Sequence, residues 1–148
     1  MQLDCLRAAR ILILAAGLAI VGCSGGPKFE EVTGTVKAGN KPLENIQVEF
    51  WPEVSGPRSI GVTDKDGHFI LHTDDGKRAG AVVGAHKVVL VDLATYEGVP
   101  LNMSRQVEKM DLKSTRIREP YATPAGTPFK RDVVANRAND IALDVNAP

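Results

Sequence analysis

The sequence predicts an all-β protein, a seven-stranded antiparallel β-sandwich preceded by an N-terminal export segment. From residue 29 onward, apolar and polar residues alternate with a period of two, which is typical of strands with one solvated face. Short runs of Gly, Asn, Asp and Pro separate these segments, and no long amphipathic helical pattern lies between them. Together these observations favour two packed antiparallel sheets.

Length and charge agree with one exported domain. Residues 1–22 of the 148 read as a removable signal, which leaves 126, enough for a single core. The chain holds 18 basic and 18 acidic residues; removing Arg7, Arg10 and Asp4 with the signal leaves 16 and 17. A nearly neutral domain does not attract nucleic acid, so we expect no nucleic-acid partner.

The export segment has the parts of a signal peptide. Arg7 and Arg10 precede an apolar run of 11 residues at 11–21, which is shorter than the ~20 residues needed to span a bilayer permanently. Residues 20–23, Ile-Val-Gly-Cys, resemble the lipobox of bacterial lipoproteins. The resemblance implies cleavage between Gly22 and Cys23, acylation (palmitate included) of Cys23, and a linker over 23–28. The alternative is an ordinary secretory signal with a chance cysteine.

The lipoprotein interpretation implies a location in the cell envelope and a mature domain without a free thiol. The protein would be lipid-anchored in the cell envelope, at the outer membrane or at the periplasmic face of the inner membrane. Cys5 leaves with the signal and Cys23 carries lipid, so neither of the two cysteines remains free to form a disulfide.

Seven strands are predicted in chain order. The clearest is 45–50, in which Ile46, Val48 and Phe50 face one side and polar residues face the other. The other six are 32–36, 58–63, 68–73, 86–92, 127–134 and 140–145. The residues expected in the core are Ile46, Val48, Phe50, Phe69, Leu71, Val88, Leu90, Ile141 and Leu143.

The connections follow from turn chemistry. Residues 38–42, 64–67 and 136–139 are rich in Gly, Asn, Asp and Pro and are each expected to close a hairpin. Residues 93–118 form one long connection, with a short helix possible at 104–112. Because 104–118 holds five basic and two acidic residues, this segment is either a contact loop for an anionic partner or a solvated loop.

Several segments together resemble carboxypeptidase-regulatory-like domains. The opening strands and the T-D-x-x-G-x-F hairpin motif are recognisable, as is a G-x-H-x-V strand; these segments are 32–36, 39–43, 46–50, 63–69 and 84–90. Residues 119–124 and 139–144 are similar to the tail of short bacterial lipoproteins that carry this domain, although Thr123 stands where Asp or Asn is common. The resemblance implies a transthyretin-like (prealbumin-like), Ig-like sandwich over 29–148 that acts as an accessory or adhesive module.

The segment Asp64-Lys65-Asp66-Gly67 has two interpretations. Its alternating carboxylates resemble a fragment of a calcium loop, but Ca²⁺ takes about 6–8 oxygen ligands and the position of the bidentate glutamate holds Asp75. In a hairpin turn, by contrast, Asp64 would bond to backbone N–H groups and Gly67 would take a positive φ. The turn is the favoured interpretation, and we expect neither metal nor cofactor.

Catalytic motifs are missing from the sequence. It contains no HExxH and no Gly-rich phosphate loop, and it lacks the C-terminal Tyr-Arg-Gly-Ser of transthyretin-like hydrolases. His68, His72 and His86 are expected to be surface residues and not a zinc site. We therefore expect no catalytic residues, with a transthyretin-like hydrolase or an accessory subunit of an envelope enzyme as the alternatives.

Two aromatic residues are candidates for a ligand surface. Trp51 follows Phe50 and would face away from the core, either as an exposed platform for a sugar or peptide or as a cover over the strand end. Tyr121 is expected to pack the late crossover onto the domain. The expected function is a non-catalytic binding or structural module, with the membrane and an envelope protein or polysaccharide as partners.

Overall fold

The computed structural model describes residues 26–93, 116–117 and 119–145, and this part of the chain is all β, without a helix. The signal segment 1–22 with Gly22, the acylation site Cys23 and most of the 93–118 connection, including 104–112, lie outside the described residues.

Short strands make up the described chain. In order they are β1 (Phe29–Glu30), β2 (Val32–Ala38), β3 (Lys41–Pro42), β4 (Ile46–Pro52), β5 (Ser59–Val62), β6 (His68–Ile70), β7 (His72–Thr73), β8 (Ala81–Val82), β9 (Gly84–Asp92), β10 (Lys130–Val133) and β11 (Asn139–Asp144).

Two larger sheets and one small sheet result. Five strands pair in the order β10-β9-β4-β5-β7, and four strands form a second sheet in which β2 lies between β11 on one side and β3 and β6 on the other. The pair β1-β8 forms the third sheet. Both larger sheets contribute to one hydrophobic cluster, in which Val32 and Leu143 from the second sheet join Val48 and Leu90 from the first.

The expected core is confirmed. All nine apolar residues that alternation placed inward are buried, and Phe50, Ile46 and Leu90 are fully so. Burial of alternate apolar residues on each strand is the main favourable term in the folding of such a domain.

The expectation of purely antiparallel pairing is wrong for one pair. Strand β11 runs parallel to β2, in a register that pairs Ile141 with Gly34. The turn at 136–139 does not close a hairpin, because it carries the chain from β10 in one sheet to β11 in the other. Buried Asn139 holds this corner: its amide accepts from the Val134 N–H at 2.8 Å and donates to Val134 O at 3.1 Å.

The expected strand at 68–73 is also wrong as a single element. The chain changes sheets at Leu71, so β6 pairs with β2 and β7 pairs with β5. Leu71 itself is fully buried, and its N–H donates to Val32 O at 3.0 Å. This split and the short strands β1, β3 and β8 make eleven described strands where seven were expected.

Candidate functional site

The segment Asp64-Lys65-Asp66-Gly67 is a turn, as expected, but the expectation that it closes a hairpin is wrong, because it leads from β5 in the five-stranded sheet to β6, which pairs with β2 in the other sheet. Asp64 Oδ1 accepts from the N–H groups of Asp66 and His68, each at 2.9 Å, and Gly67 has a φ of 76°. The Gly67 carbonyl accepts from the Val36 N–H at 2.9 Å, which docks the turn against β2. A Cβ at Gly67 would lie 2.6 Å from Val36 O, so this position requires glycine.

The same turn brings together three groups that bind metals. One ligand atom each of Asp64, Asp66 and His68 lies within 4.8 Å of the others, and all three side chains are exposed. Asp75 takes part in a different set of bonds, since it accepts from Thr73 Oγ1 at 2.7 Å and pairs with Lys77 at 3.2 Å. The cluster thus offers three side chains where Ca²⁺ takes about 6–8 ligands.

The largest polar network described lies on the outer face of the five-stranded sheet. Gln47 and Glu49 belong to the face that alternation predicted to be solvated, yet they are only 5% and 7% exposed, so that prediction is wrong for these two residues. Glu49 Oε1 accepts from Gln47 Nε2, and Oε2 accepts from Trp51 Nε1 at 2.9 Å and from Arg58 at 3.1 Å. The buried carboxylate is thus fully partnered, as a buried charge must be.

These bonds hold Trp51 in a fixed orientation. Its indole N–H is bonded to Glu49, and the Arg58 guanidinium lies 4.9 Å from the ring centroid. The side chain nevertheless remains 36% exposed. Trp51 is therefore a partly exposed aromatic surface whose geometry is set by its neighbours, which fits the platform interpretation better than a simple cover.

Arg58 connects the network to the edge of the sheet. It donates to Asp74 at 2.8 Å as well as to Glu49. Desolvation lowers the pKa of the guanidinium, but the hydrogen bond to Asp74 and the negative charges of Glu49 and Asp74 outweigh this effect and raise the pKa above its usual value. Arg58 thus stays cationic beside the indole at any accessible pH.

Tyr121 does not belong to this surface. It packs against the hydrophobic cluster, and its ring lies 5.1 Å from that of Phe129. Its carbonyl accepts from the Leu90 N–H at 3.0 Å, so it extends the sheet beside β9. The structure therefore does not bring Tyr121 and Trp51 together, and Tyr121 packs the crossover as expected.

The three histidines occupy three environments. His68 and His72 are exposed, but His86 is fully buried, so its expected place on the surface is wrong. The His86 ring lies 5.5 Å from that of Phe50, and Nδ1 is 2.9 Å from Gly84 O, whereas Nε2 has no hydrogen-bond partner among the described residues. Desolvation lowers the pKa of His86, although the bond to Gly84 and the charges of Asp132 and Glu53 act in the opposite direction.

An ion pair at the end of β9 was not predicted. The Asp92 carboxylate is buried and accepts from Arg116 at 2.6 Å and 2.9 Å, while Arg116 also donates to Glu44 O at 2.7 Å. The bonds to Asp92 raise the pKa of Arg116 despite partial desolvation. With the bond from Leu93 N–H to Asn45 O, this pair holds Leu93 and Arg116, the residues that flank 94–115, at one corner of the domain.

Comparison with known proteins does not add a relative. No protein-family model, no curated protein and no solved structure matches the chain.

Across 26–93, 116–117 and 119–145, no helix has the length and apolar character needed to cross a bilayer.

Proposed function

We propose that the chain is a lipid-anchored cell-envelope protein with one non-catalytic β-sandwich that binds envelope polysaccharide at the Trp51 surface. The sandwich is supported by the hydrophobic cluster to which both larger sheets contribute, and its transthyretin-like, Ig-like type is supported by the family resemblance of the sequence. The anchor at Cys23 is supported by the lipobox resemblance of residues 20–23. The binding role is carried by the network that orients Trp51.

The location of that network supports a binding role. A carboxylate buried on the solvent side of a sheet is costly, and packing alone would favour an apolar residue there. Glu49 instead directs its bonds to the indole N–H and to Arg58. Sugars stack on aromatic rings and hydrogen-bond to planar charged groups, and the adjoining Arg58 and Asp74 offer both donors and acceptors.

The histidine environments support a non-catalytic role. His68 lies in an exposed turn, His72 lies on β7, and the free nitrogen of His86 is buried beside Phe50. A hydrolase that uses histidine and arginine needs these groups to converge on one pocket. The alternatives of a transthyretin-like hydrolase or a subunit of an envelope enzyme therefore receive less support.

Intrinsic fluorescence tests the binding surface, since Trp51 is the single tryptophan. We expect saturable changes in its emission on titration with soluble peptidoglycan fragments or purified envelope polysaccharide. Trp51→Ala should abolish binding in a pull-down on the same polymer, whereas Val62→Ala, which removes another exposed apolar residue of this sheet, should not. Equal binding by both variants, or capture of an envelope protein in place of polymer through Trp51, would contradict the proposal.

The anchor has its own test. Cys23→Ser should leave the protein unacylated and released from membranes, as precursor or after cleavage by another peptidase. A Cys23→Ser protein that lacks an uncleaved signal and still resists a carbonate wash would refute the lipoprotein interpretation.

A further inference from the structure

A cleft of about 340 Å³ opens where the described chain begins. One wall consists of Gly26, Pro27 and Phe29. The other lining residues are Pro57, Thr73 at the end of β7, and three charged residues that follow β7, namely Asp75, Lys77 and Arg78. The cleft thus lies between the N-terminal segment and an edge of the five-stranded sheet.

The charged groups of this cleft differ in their partners. Asp75 and Lys77 pair with each other at 3.2 Å, and bonds from Thr73 and Lys77 lower the pKa of Asp75 to about 2. The Arg78 guanidinium lies 4.8 Å from the centroid of the Phe29 ring. Among the described residues it forms no ion pair, so its donors are available to an anion while the ring supports its position.

Chain length places the cleft close to the anchor. Gly26 follows Cys23 by three residues, and an extended chain covers at most ~3.6 Å per residue, or about 11 Å in total. If Cys23 is acylated, the cleft therefore lies at the depth of the lipid headgroups.

We propose that Arg78 binds the phosphate of an anionic phospholipid headgroup in this cleft, so that the domain rests with this end on the bilayer that anchors it. The guanidinium presents paired N–H donors that match a phosphate, Pro27, Pro57 and Phe29 supply apolar walls, and the Asp75 carboxylate of the same cleft is paired with Lys77. This inference rests on the proposed lipid anchor for its geometry, but not on the polysaccharide surface.

Vesicle binding by the released Cys23→Ser protein tests the cleft without the lipid chain. We expect it to sediment with phosphatidylglycerol vesicles at low salt and not with phosphatidylcholine vesicles. Adding the substitution Arg78→Gln should lower the partition coefficient of the protein between phosphatidylglycerol vesicles and solution about fivefold. This factor corresponds to ~1 kcal/mol for one basic residue at an anionic surface. The matched control is Arg131→Gln, because Arg131 also stacks on a phenylalanine, 5.4 Å from Phe129, but lies on β10 at the opposite edge.

Three outcomes would overturn the inference. They are an equal loss of vesicle binding in Arg78→Gln and Arg131→Gln, equal binding to phosphatidylglycerol and phosphatidylcholine vesicles, or binding of free glycerol phosphate that is as tight as binding to phosphatidylglycerol vesicles. The anchor is judged separately from the mass of the wild-type chain. An unacylated Cys23 together with Arg78-dependent vesicle binding would refute the anchor alone, whereas an acylated Cys23 without such binding would refute the headgroup site alone.

Discussion

Acidification is expected to destabilise the domain through His86. In the folded protein Nδ1 is bonded to Gly84 O, while Nε2 lies unpartnered in the core beside Phe50. A second proton on this ring would place a charged N–H in an apolar environment with no acceptor. Burial therefore lowers the pKa of His86 in the folded state, and the unfolded chain retains an ordinary value near ~6.5.

The sign and size of the effect follow from proton linkage. Below the unfolded pKa and above the folded one, the unfolded chain binds a proton that the folded chain does not, so stability falls as pH falls. The slope approaches ~1.4 kcal/mol per pH unit in that window. Between pH ~7.5 and ~5.5 the free energy of unfolding should therefore decrease by up to about 1.4 kcal/mol.

Urea unfolding at several pH values between ~5.5 and ~7.5, followed by Trp51 fluorescence, measures this loss. In His86→Leu the pH dependence should disappear over that range, whatever the stability of the variant at neutral pH. His72→Gln, which changes an exposed histidine on β7, should keep it. A wild-type stability that stays constant or rises on acidification, or an equal loss in His86→Leu, would refute the reasoning.

Three further substitutions test the fold. Phe69→Ala should lower the free energy of unfolding by ~3–5 kcal/mol in urea, because the ring is buried between the sheets; an unchanged midpoint would mean that the strand faces are misassigned. Gly67→Ala should cost at least ~1 kcal/mol more than Gly39→Ala in thermal unfolding, since both glycines have positive φ but only Gly67 meets a backbone oxygen; equal losses would contradict the contact. Asp92→Ala should cost about 3 kcal/mol in urea, since it leaves Arg116 without its buried partner, and a neutral effect would show that the pair contributes little.

Local pattern accounts for the parts of the fold that could be predicted. Alternation placed Ile46, Val48 and Phe50 inward because the period of a strand is a property of its own backbone. The same alternation places His86 on the inward face with Val88 and Leu90. His86 is buried because of this position, although the polarity of histidine favoured a surface location.

What the sequence did not reveal depends on distant residues. Strand β11 pairs with β2 across more than a hundred residues, and no local signal specifies that partner or its direction. The burial of Glu49 requires Arg58, which lies immediately before the neighbouring strand β5. Trp51 was identified as a candidate because it follows the inward series, but its orientation comes from contacts that form only in the folded sheet.

The pairing of Asp92 with Arg116 marks a corner of the domain at which the connecting segment could be replaced. Leu93 and Arg116, which flank the 94–115 segment, are held by the Asn45 carbonyl and the Asp92 carboxylate, so the positions of these two residues do not depend on the length of the segment between them. Loop-closure entropy changes by only ~0.6 kcal/mol for each doubling of length. We therefore expect that a longer, shorter or unrelated segment can be grafted between these two residues while the strands keep their register, which would let one scaffold present different connections to its surroundings.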